Sequence, residues 1–241
     1  YEIMPSLVGS EMCIRDSLGD TLPILAPEPI NGVPQILDEQ ESKSELAKYG
    51  LVVPRGQVCT AADAVAAAEA IGYPVVVKAL SHEIAHKSEA GAVHVNLTNS
   101  TAVQAAIDSM HSDFDRFLIE EMAGPTLTEL IIGVSRDTTF GPTLLIGAGG
   151  TLVELINDTA SLLLPTCRDE ISEALRSLKV MKLIESWRGN EAGDFDSVVE
   201  AVCAIANYAI EHNANLLELD VNPLIVTPNA AIAVDAVIRR T

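Results

Sequence analysis

The stretch that decides the fold lies near the end of the chain and runs NLLELDVNPLIVTPNAAIAVDAVI (215–238). Its two apolar arms flank the turn Thr227-Pro228-Asn229, which predicts two strands joined by a hairpin. Asn222 and Asp235 lie on opposite arms, 13 positions apart across the turn, where paired strands bring side chains together. An amide and a carboxylate oxygen so placed suit one Mg²⁺, which prefers hard oxygen ligands. The alternative is that Asn222 only caps the turn before Pro223.

Two further acids lie beside this candidate pair. Glu218 and Asp220 alternate with apolar residues along the first arm, so both share the side of the strand that carries Asn222. Either acid is a candidate for supporting a bound cation from outside its ligand shell.

The rest of the chain predicts helices that alternate with strands, some of them antiparallel. Helices are expected at 37–50, 61–71, 100–110, 166–178 and 195–212, and strands at 75–80, 91–97, 116–122, 126–137 and 141–150. This order fits an α+β fold in two lobes better than a doubly wound sheet. We place the lobes at 37–122 and 123–241, after a proline-rich linker at 18–36.

Residues 1–17 are set apart from the fold. EIMPSLVGSEMCIRDS (2–17) resembles a translated sequencing-adapter read-through, and it lacks the basic start and apolar core of a signal peptide. We expect this segment to be an artefact and disordered. The linker behind it favours a fragment of a longer, fused protein.

Composition excludes several classes of function. The 241 residues carry a net charge of −19, which opposes binding to nucleic acids and anionic membranes. No apolar run approaches the roughly 20 residues of a membrane span. The four cysteines are widely separated, without a CxxC pair, which argues against a zinc or redox site and fits a reducing cytoplasm.

An anionic ligand in such a protein must be met by specific cations, and Lys78 is a candidate. It lies among valines in the strand PVVVKA (74–79), where a buried lysine needs an anionic partner. The alternative is a lysine at a strand end that extends to water. The two commonest phosphate motifs are absent, because the sequence contains neither GxxxxGK[ST] nor GxGxxG.

Several segments in order resemble a known family from about residue 37 to the end of the chain. They are LDEQESKSELAKYGLVVPRG, YPVVVKA, IAHKSEAGAV, LIEEM, TELIIGVSRDTTFGPTLLIGAGGTLVEL and LELDVNPLIV…AVDA. Together they resemble the ATP-grasp domain of ADP-forming acetate–CoA ligases and of succinyl-CoA synthetase β subunits. The resemblance implies two α/β lobes with mixed, partly antiparallel sheets, and a site for ATP or ADP with Mg²⁺.

The resemblance also implies a nucleotide site at named positions. Lys78 would contact the α- and β-phosphates. Glu120, Glu121 and Met122 would form the hinge between the lobes, where backbone groups read the adenine edge and a nearby acid holds the ribose; a solvated acidic strand end is the alternative. Asn222 and Asp235 would hold Mg²⁺.

The loop IAHKSEAGAV (84–93) carries the candidate catalytic residue, His86. By itself a lone histidine in a polar loop is more often a surface residue. The segment resembles the family motif HKS[DE], whose histidine is transiently phosphorylated, and a neutral imidazole is a competent nucleophile. Lys87 would then offset phosphate charge.

A glycine cluster matches the family, whereas one apolar residue differs from it. Gly149 and Gly150 suit close approach of backbone N–H groups to phosphate, or simply a tight turn. Relatives often carry Arg in the segment that corresponds to NDTASLLLP (157–165), where this chain has Leu162. That difference would remove one cation, whereas Arg136 remains in its matching position.

The implied function is one half of an acid–CoA ligase that forms ATP from ADP. A CoA-binding domain or α subunit, missing from this chain, would supply the acyl chemistry, and His86 would relay the phosphoryl group. Two alternatives stay open. One is a catalytically silent module that senses nucleotide or acyl-CoA in a lysine acetyltransferase-type protein, and the other is a carboxylate–amine ligase.

Overall fold

The described part of the chain forms two β-sheets with helices packed on their faces. The computed structural model describes Leu25 and residues 30–80, 92–110, 112–150, 158–185 and 192–241. Its strands are β1 Gln35–Leu37, β2 Gly56–Cys59, β3 Val75–Ala79, β4 Val93–Leu97, β5 Phe117–Glu121, β6 Thr128–Asp137, β7 Gly141–Ala148, β8 Thr159–Leu163, β9 Leu216–Val226, β10 Ala231–Ala233 and β11 Ala236–Arg240. Its α-helices are α1 Glu39–Ala47, α2 Ala64–Ile71, α3 Ser100–Met110, α4 Arg168–Ser177 and α5 Phe195–Glu211.

The smaller sheet has the strand order β2-β5-β3-β4 in the described residues. Side chains alternate across it, and Val75, Val77 and Ile119 face a core that α2 and α3 complete. The two helices have local end signals. Asn99 accepts a hydrogen bond from the backbone of Ala102 at the start of α3, and Gly72 ends α2 with φ 97°.

The larger sheet has the order β1-β11-β9-β6-β7-β8, with β10 paired to β9. Its core lies on the face covered by α4 and α5, where Leu130, Ile132, Leu144 and Leu219 are fully buried. Strand pairs of the described residues are all antiparallel, a more uniform arrangement than the mixed sheets expected.

The start of the described chain packs with the larger sheet. β1 pairs with β11, and Leu46 and Leu51 belong to the larger core. Residues 35–51 thus pack with the strands that follow Met122, which differs from the expected division into 37–122 and 123–241. The expected artefact at 1–17 lies outside the described residues. None of the described helices combines the length and apolar character that crossing a bilayer requires.

Candidate active site

The candidate metal pair lies at a break in the larger sheet. β9 is continuous, but its neighbour on one side is divided into β10 and β11 at Val234 and Asp235. The backbone N–H of Asn222 donates to the carbonyl oxygen of Asp235 at 3.2 Å, and that of Val234 donates to Pro223 at 3.2 Å. Asn222 and Asp235 therefore lie side by side, although the second hairpin arm is two short strands instead of one.

The same face of β9 concentrates negative charge. Leu219 and Val221 point into the core, which leaves Glu218, Asp220 and Asn222 on the opposite face. Burial, followed by the nearby carboxylates of Asp235 and Glu218, raises the pKa of Asp220 to about 6. These acids repel one another, and a bound cation would relieve that repulsion.

The donor atoms at this break fit Mg²⁺. The described residues contain no group of three His, Cys, Asp or Glu side chains that could hold a metal by themselves. Asn222 and Asp235 provide one amide and one carboxylate, and Mg²⁺ commonly takes its remaining ligands from water and substrate phosphates. The residues present thus suit a cation that is shared with a phosphorylated ligand.

A buried ionic cluster, which we define as Glu39, Lys43, Lys78 and Glu120, adjoins the metal pair. The ammonium of Lys78 lies 2.6 Å from Glu39 Oε1 and 3.0 Å from Glu120 Oε2. The ammonium of Lys43 lies 2.8 Å from Glu39 Oε1 and 2.5 Å from Glu120 Oε1. Burial lowers the pKa of Lys78, but Glu39, Glu120 and Asp235 outweigh burial and raise it, so Lys78 is charged.

This cluster connects the two sheets. Lys78 on β3 and Glu120 on β5 belong to the smaller sheet, whereas α1, which carries Glu39, packs against β11 of the larger. Lys78 also donates to the carbonyl oxygen of Val234 at 2.5 Å. Lys78 and the metal pair are thereby brought to the same junction between the sheets.

Gly56 leaves the space that Glu120 needs. Gly56 on β2 pairs with Glu120 on β5, and a Cβ atom at Gly56 would lie 2.8 Å from Cγ of Glu120. Because the contact is with the stem of a buried side chain, an added methyl group would displace Glu120 from its lysine partners.

The other expected hinge residues have different surroundings. Glu121 accepts hydrogen bonds from the backbone and side chain of Arg55, at 3.0 and 2.7 Å. Burial raises the pKa of Glu121, but these bonds to Arg55 outweigh it and lower the pKa. Met122 follows β5 directly and is half-buried. Both lie at the end of the strand that carries Glu120.

The glycine cluster lies at the end of β7 against β6. Gly149 donates its backbone N–H to the carbonyl oxygen of Glu129 at 2.7 Å, so that amide is already bonded. Gly150 has φ 84°, a conformation that favours glycine. The segment 151–157 that follows lies outside the described residues.

Two further sequence positions have structural roles. Leu162 pairs with Leu144 and packs against the larger core, on the face opposite Asp220 and Asn222. A cation at position 162 of this chain would therefore not face the metal pair. Arg136 donates to the side chain of Asn213 at 3.0 and 3.1 Å. His86 and Lys87 lie outside the described residues.

Three residues near the candidate site were not predicted from the sequence: Glu39, Lys43 and Arg55. The first two had a detectable signal, because Glu39, Lys43 and Leu46 follow the i, i+4, i+7 spacing of one helix face. A charged pair on the apolar face of a helix indicates a buried ionic contact. Arg55 had no such signal, since its partner Glu121 is 66 positions away.

Comparisons with known proteins identify the family and the fold. Residues 31–239 match the family model described as an ATP-grasp domain. The chain is 31% identical over 210 residues to the β subunit of acetate–CoA ligase (ADP-forming) I of Pyrococcus furiosus, covering 83% of this chain and 90% of that subunit. It is 34% identical to the 4-hydroxybutyrate–CoA ligase (ADP-forming) of Nitrosopumilus maritimus over 204 residues, which are 80% of this chain but only 29% of that ligase.

Solved structures show the same likeness. An acetyl-coenzyme A synthetase 1 of Candidatus Korarchaeum cryptofilum, in complex with coenzyme A and Mg-AMPPCP, has a TM-score of 0.76 and 33% identity, covering 86% of this chain and 93% of that one. A complex of the same enzyme with Ca-AMPCP has a TM-score of 0.79 and 32% identity, over 86% and 94% of the two chains. The chain belongs to the ATP-grasp family, as a relative of the β subunits of ADP-forming acetate–CoA ligases.

Proposed function

We propose that this chain is the nucleotide-binding, phosphohistidine-relay half of an ADP-forming acyl-CoA synthetase. The whole enzyme converts acyl-CoA, ADP and phosphate into the free acid, CoA and ATP, and it works in both directions. The observation that carries the proposal is the bond from Lys78 of the smaller sheet to Val234, next to Asp235 of the larger sheet. It brings Lys78, which we assign to phosphate, next to Asp235, which we assign with Asn222 to the metal.

The relatives support the nucleotide part of this proposal. The Korarchaeum enzyme binds Mg-AMPPCP, and its phosphohistidine segment points towards the nucleotide-binding site. In the present chain, we assign the phosphates of ADP to Lys78 and the adenine edge to the backbone of Glu120, Glu121 and Met122. We assign Gly149 and Gly150 to the part of the site that faces the phosphates of the nucleotide.

Asn222 and Asp235 hold Mg²⁺ in this proposal. A bound Mg²⁺ would supply positive charge that offsets the charge of the phosphates. The two residues would also fix the position of the cation, because the backbone hydrogen bond from Asn222 to Asp235 holds their two strands together. Lys78 and these ligands then position ADP for in-line attack, which is the main task of a phosphoryl-transfer site.

His86 carries the phosphoryl group. As phosphohistidine it donates this group to the terminal β-phosphate oxygen of ADP: the P–N bond breaks, a P–O bond forms, and the nitrogen recovers its lone pair. In the reverse direction the neutral imidazole attacks the γ-phosphorus of ATP and releases ADP. Lys87, the next residue, offsets the charge of the phosphoryl group.

A partner supplies the acyl chemistry. The Pyrococcus relative is named as a β subunit, which implies another subunit beside it, and the chain spans about 29% of the Nitrosopumilus ligase. We propose that a CoA-binding ligase domain or α subunit makes the acyl phosphate and passes its phosphoryl group towards His86.

Labelling with [γ-³²P]ATP and Mg²⁺ tests the relay. We expect acid-labile, base-stable label on the wild-type chain and none on His86→Asn. The matched control is His82→Asn, four positions before His86 in the sequence, which should retain the label. Nucleotide binding without any label would support the sensing module instead, and label that requires a carboxylate and an amine would support the carboxylate–amine ligase.

A further inference from the structure

We infer that Glu39 and Lys43 are positioning residues for nucleotide binding, which hold Lys78 at the sheet junction and retain Glu120 when Lys78 turns to a phosphate. The inference rests on the proposed function, because it assigns a phosphate to Lys78. It concerns the two charged residues of α1, to which the proposed mechanism gives no role.

The donors of Lys78 are already in use. A lysine ammonium has three donors, and Lys78 has three acceptor contacts: Glu39 at 2.6 Å, Val234 at 2.5 Å and Glu120 at 3.0 Å. To bind a phosphate, Lys78 must exchange one of them. The contact with Glu120 is the longest of the three, and we assign the exchange to it.

Lys43 forms the ion pair that holds Glu120 after the exchange. The distance from Lys43 to Glu120 is 2.5 Å, shorter than the distance from Lys78 to the same carboxylate. Lys43 has its own three acceptors, which are Glu39, Glu120 and the carbonyl oxygen of Val234. Glu120 thus remains paired and buried after Lys78 has left it.

Burial identifies Lys78 as the member that a ligand reaches. The side chains of Glu39, Lys43 and Glu120 are exposed by 0, 1 and 2%, whereas that of Lys78 is exposed by 7%. The charges of the four residues sum to zero. Lys78 is therefore the cationic edge of a neutral cluster, and a phosphate that binds there meets no uncompensated carboxylate of this cluster.

Removing the charge of Lys43 should harm phosphate binding in particular. In Lys43→Met, two buried carboxylates share the single ammonium of Lys78, which then cannot release either of them. The net negative charge also repels phosphate. Adenosine lacks phosphate and should be insensitive to both effects.

Calorimetry with the full chain tests this difference. We expect Lys43→Met to weaken Mg·ADP binding by at least about tenfold and adenosine binding by less than about twofold. The double variant Lys43→Met/Glu120→Gln restores neutrality and should recover most of the ADP affinity. Lys48→Met is the matched control, because Lys48 belongs to the end of the same helix but is 63% exposed.

Glu39→Gln gives a second test with the opposite sign. It keeps an oxygen acceptor for both lysines but leaves the cluster with a net positive charge, so ADP should bind at least as tightly as to the wild type. A purely structural role predicts weaker ADP binding in both variants. This test remains available if Lys43→Met does not fold.

The outcomes separate the inference from the proposed function. A wild-type chain that binds no Mg·ADP overturns both. Wild-type binding, combined with equal losses of ADP and adenosine affinity in Lys43→Met, or with weakened ADP binding in Glu39→Gln, overturns only the positioning role.

Discussion

Asp220 lies between Glu218 and Asn222 on the face of β9 opposite the core. Its carboxyl group is both partly desolvated and surrounded by like charges, and each effect favours the protonated form. The pKa of Asp220 accordingly rises from 3.8 to about 6, with burial as the largest cause and Asp235 and Glu218 next. The acids gathered on this face thereby reduce the stability of the protein at neutral pH.

We predict that Asp220→Asn removes a pH-dependent part of the stability. The folded state binds the Asp220 proton more tightly than the unfolded chain, so this contribution is fully present below pH 3.8 and is lost as the pH rises through 6. Relative to wild type, the variant should gain up to about 3 kcal/mol in free energy of unfolding between pH 4 and pH 7.5.

Urea unfolding at both pH values, without nucleotide or divalent cations, measures this gain. Asp196→Asn is the control for the loss of a surface carboxylate, because its side chain is 87% exposed. An equal effect of Asp220→Asn at both pH values would show that Asp220 titrates in the folded protein as it does in the unfolded chain.

The residues of the site were predictable to different extents. The valines around Lys78 indicated a need for an anionic partner, and the hairpin predicted that Asn222 and Asp235 are neighbours. The partners of Lys78 were not predictable, since Glu39 and Glu120 lie 39 and 42 positions from it. Glu39 meets Lys78 through the placement of α1, and Glu120 meets it through the pairing of β3 with β5. A pattern of single residues cannot encode such a distant pairing.

At the scale of elements, the β6–β7 pair depends on a close approach at Gly149. A Cβ atom there would lie 2.8 Å from the carbonyl carbon of Glu129 and 3.0 Å from its oxygen. Neither is part of a flexible side chain, so the two strands would have to separate. That separation would also lengthen the 2.7 Å bond from Gly149 to Glu129.

We therefore predict that Gly149→Ala lowers the free energy of unfolding by about 2 kcal/mol. Gly124→Ala is the matched control, because its Cβ atom would approach only Thr227, at 3.9 Å, and it should change stability by less than about 0.5 kcal/mol. Chemical denaturation compares the two. An unchanged stability in Gly149→Ala, together with lost ADP binding, would assign the glycine to phosphate contact instead of strand packing.

Long elements were predictable and short ones at the sheet edges were not. The strands β6 and β7 have long apolar runs on either side of a polar turn, which predicted their antiparallel pairing. β1 has only three residues, and β8 has five that show no clear alternation. Each is a strand because of a distant or adjacent partner, β11 or β7, and this tertiary contribution outweighs the weak local preference.

At the scale of the whole molecule, charged contacts hold the two sheets in one arrangement. Arg116, just before β5, lies 3.2 Å from Asp38, the residue that caps α1. The ionic cluster adds a second, buried connection from α1 to β3 and β5. A ligand that bridges this junction should therefore stabilise both sheets together. The protein should then unfold in a single transition, at a higher temperature than without the ligand.

Mg·ADP at a concentration of 100 times its Kd should add about 2.7 kcal/mol to the free energy of unfolding, or roughly 5–10 °C in Tm for a chain of this size. We predict that Asp235→Asn abolishes the part of this increase that requires Mg²⁺, because it removes the carboxylate ligand beside Asn222. The smaller increase with ADP and EDTA should persist, since Lys78 remains. Thermal unfolding with ADP, with and without Mg²⁺, measures both parts, and Asp196→Asn should behave as wild type. A Mg²⁺-dependent increase of wild-type size in Asp235→Asn would place the cation elsewhere, because Asn222 alone cannot replace the charge of the lost carboxylate.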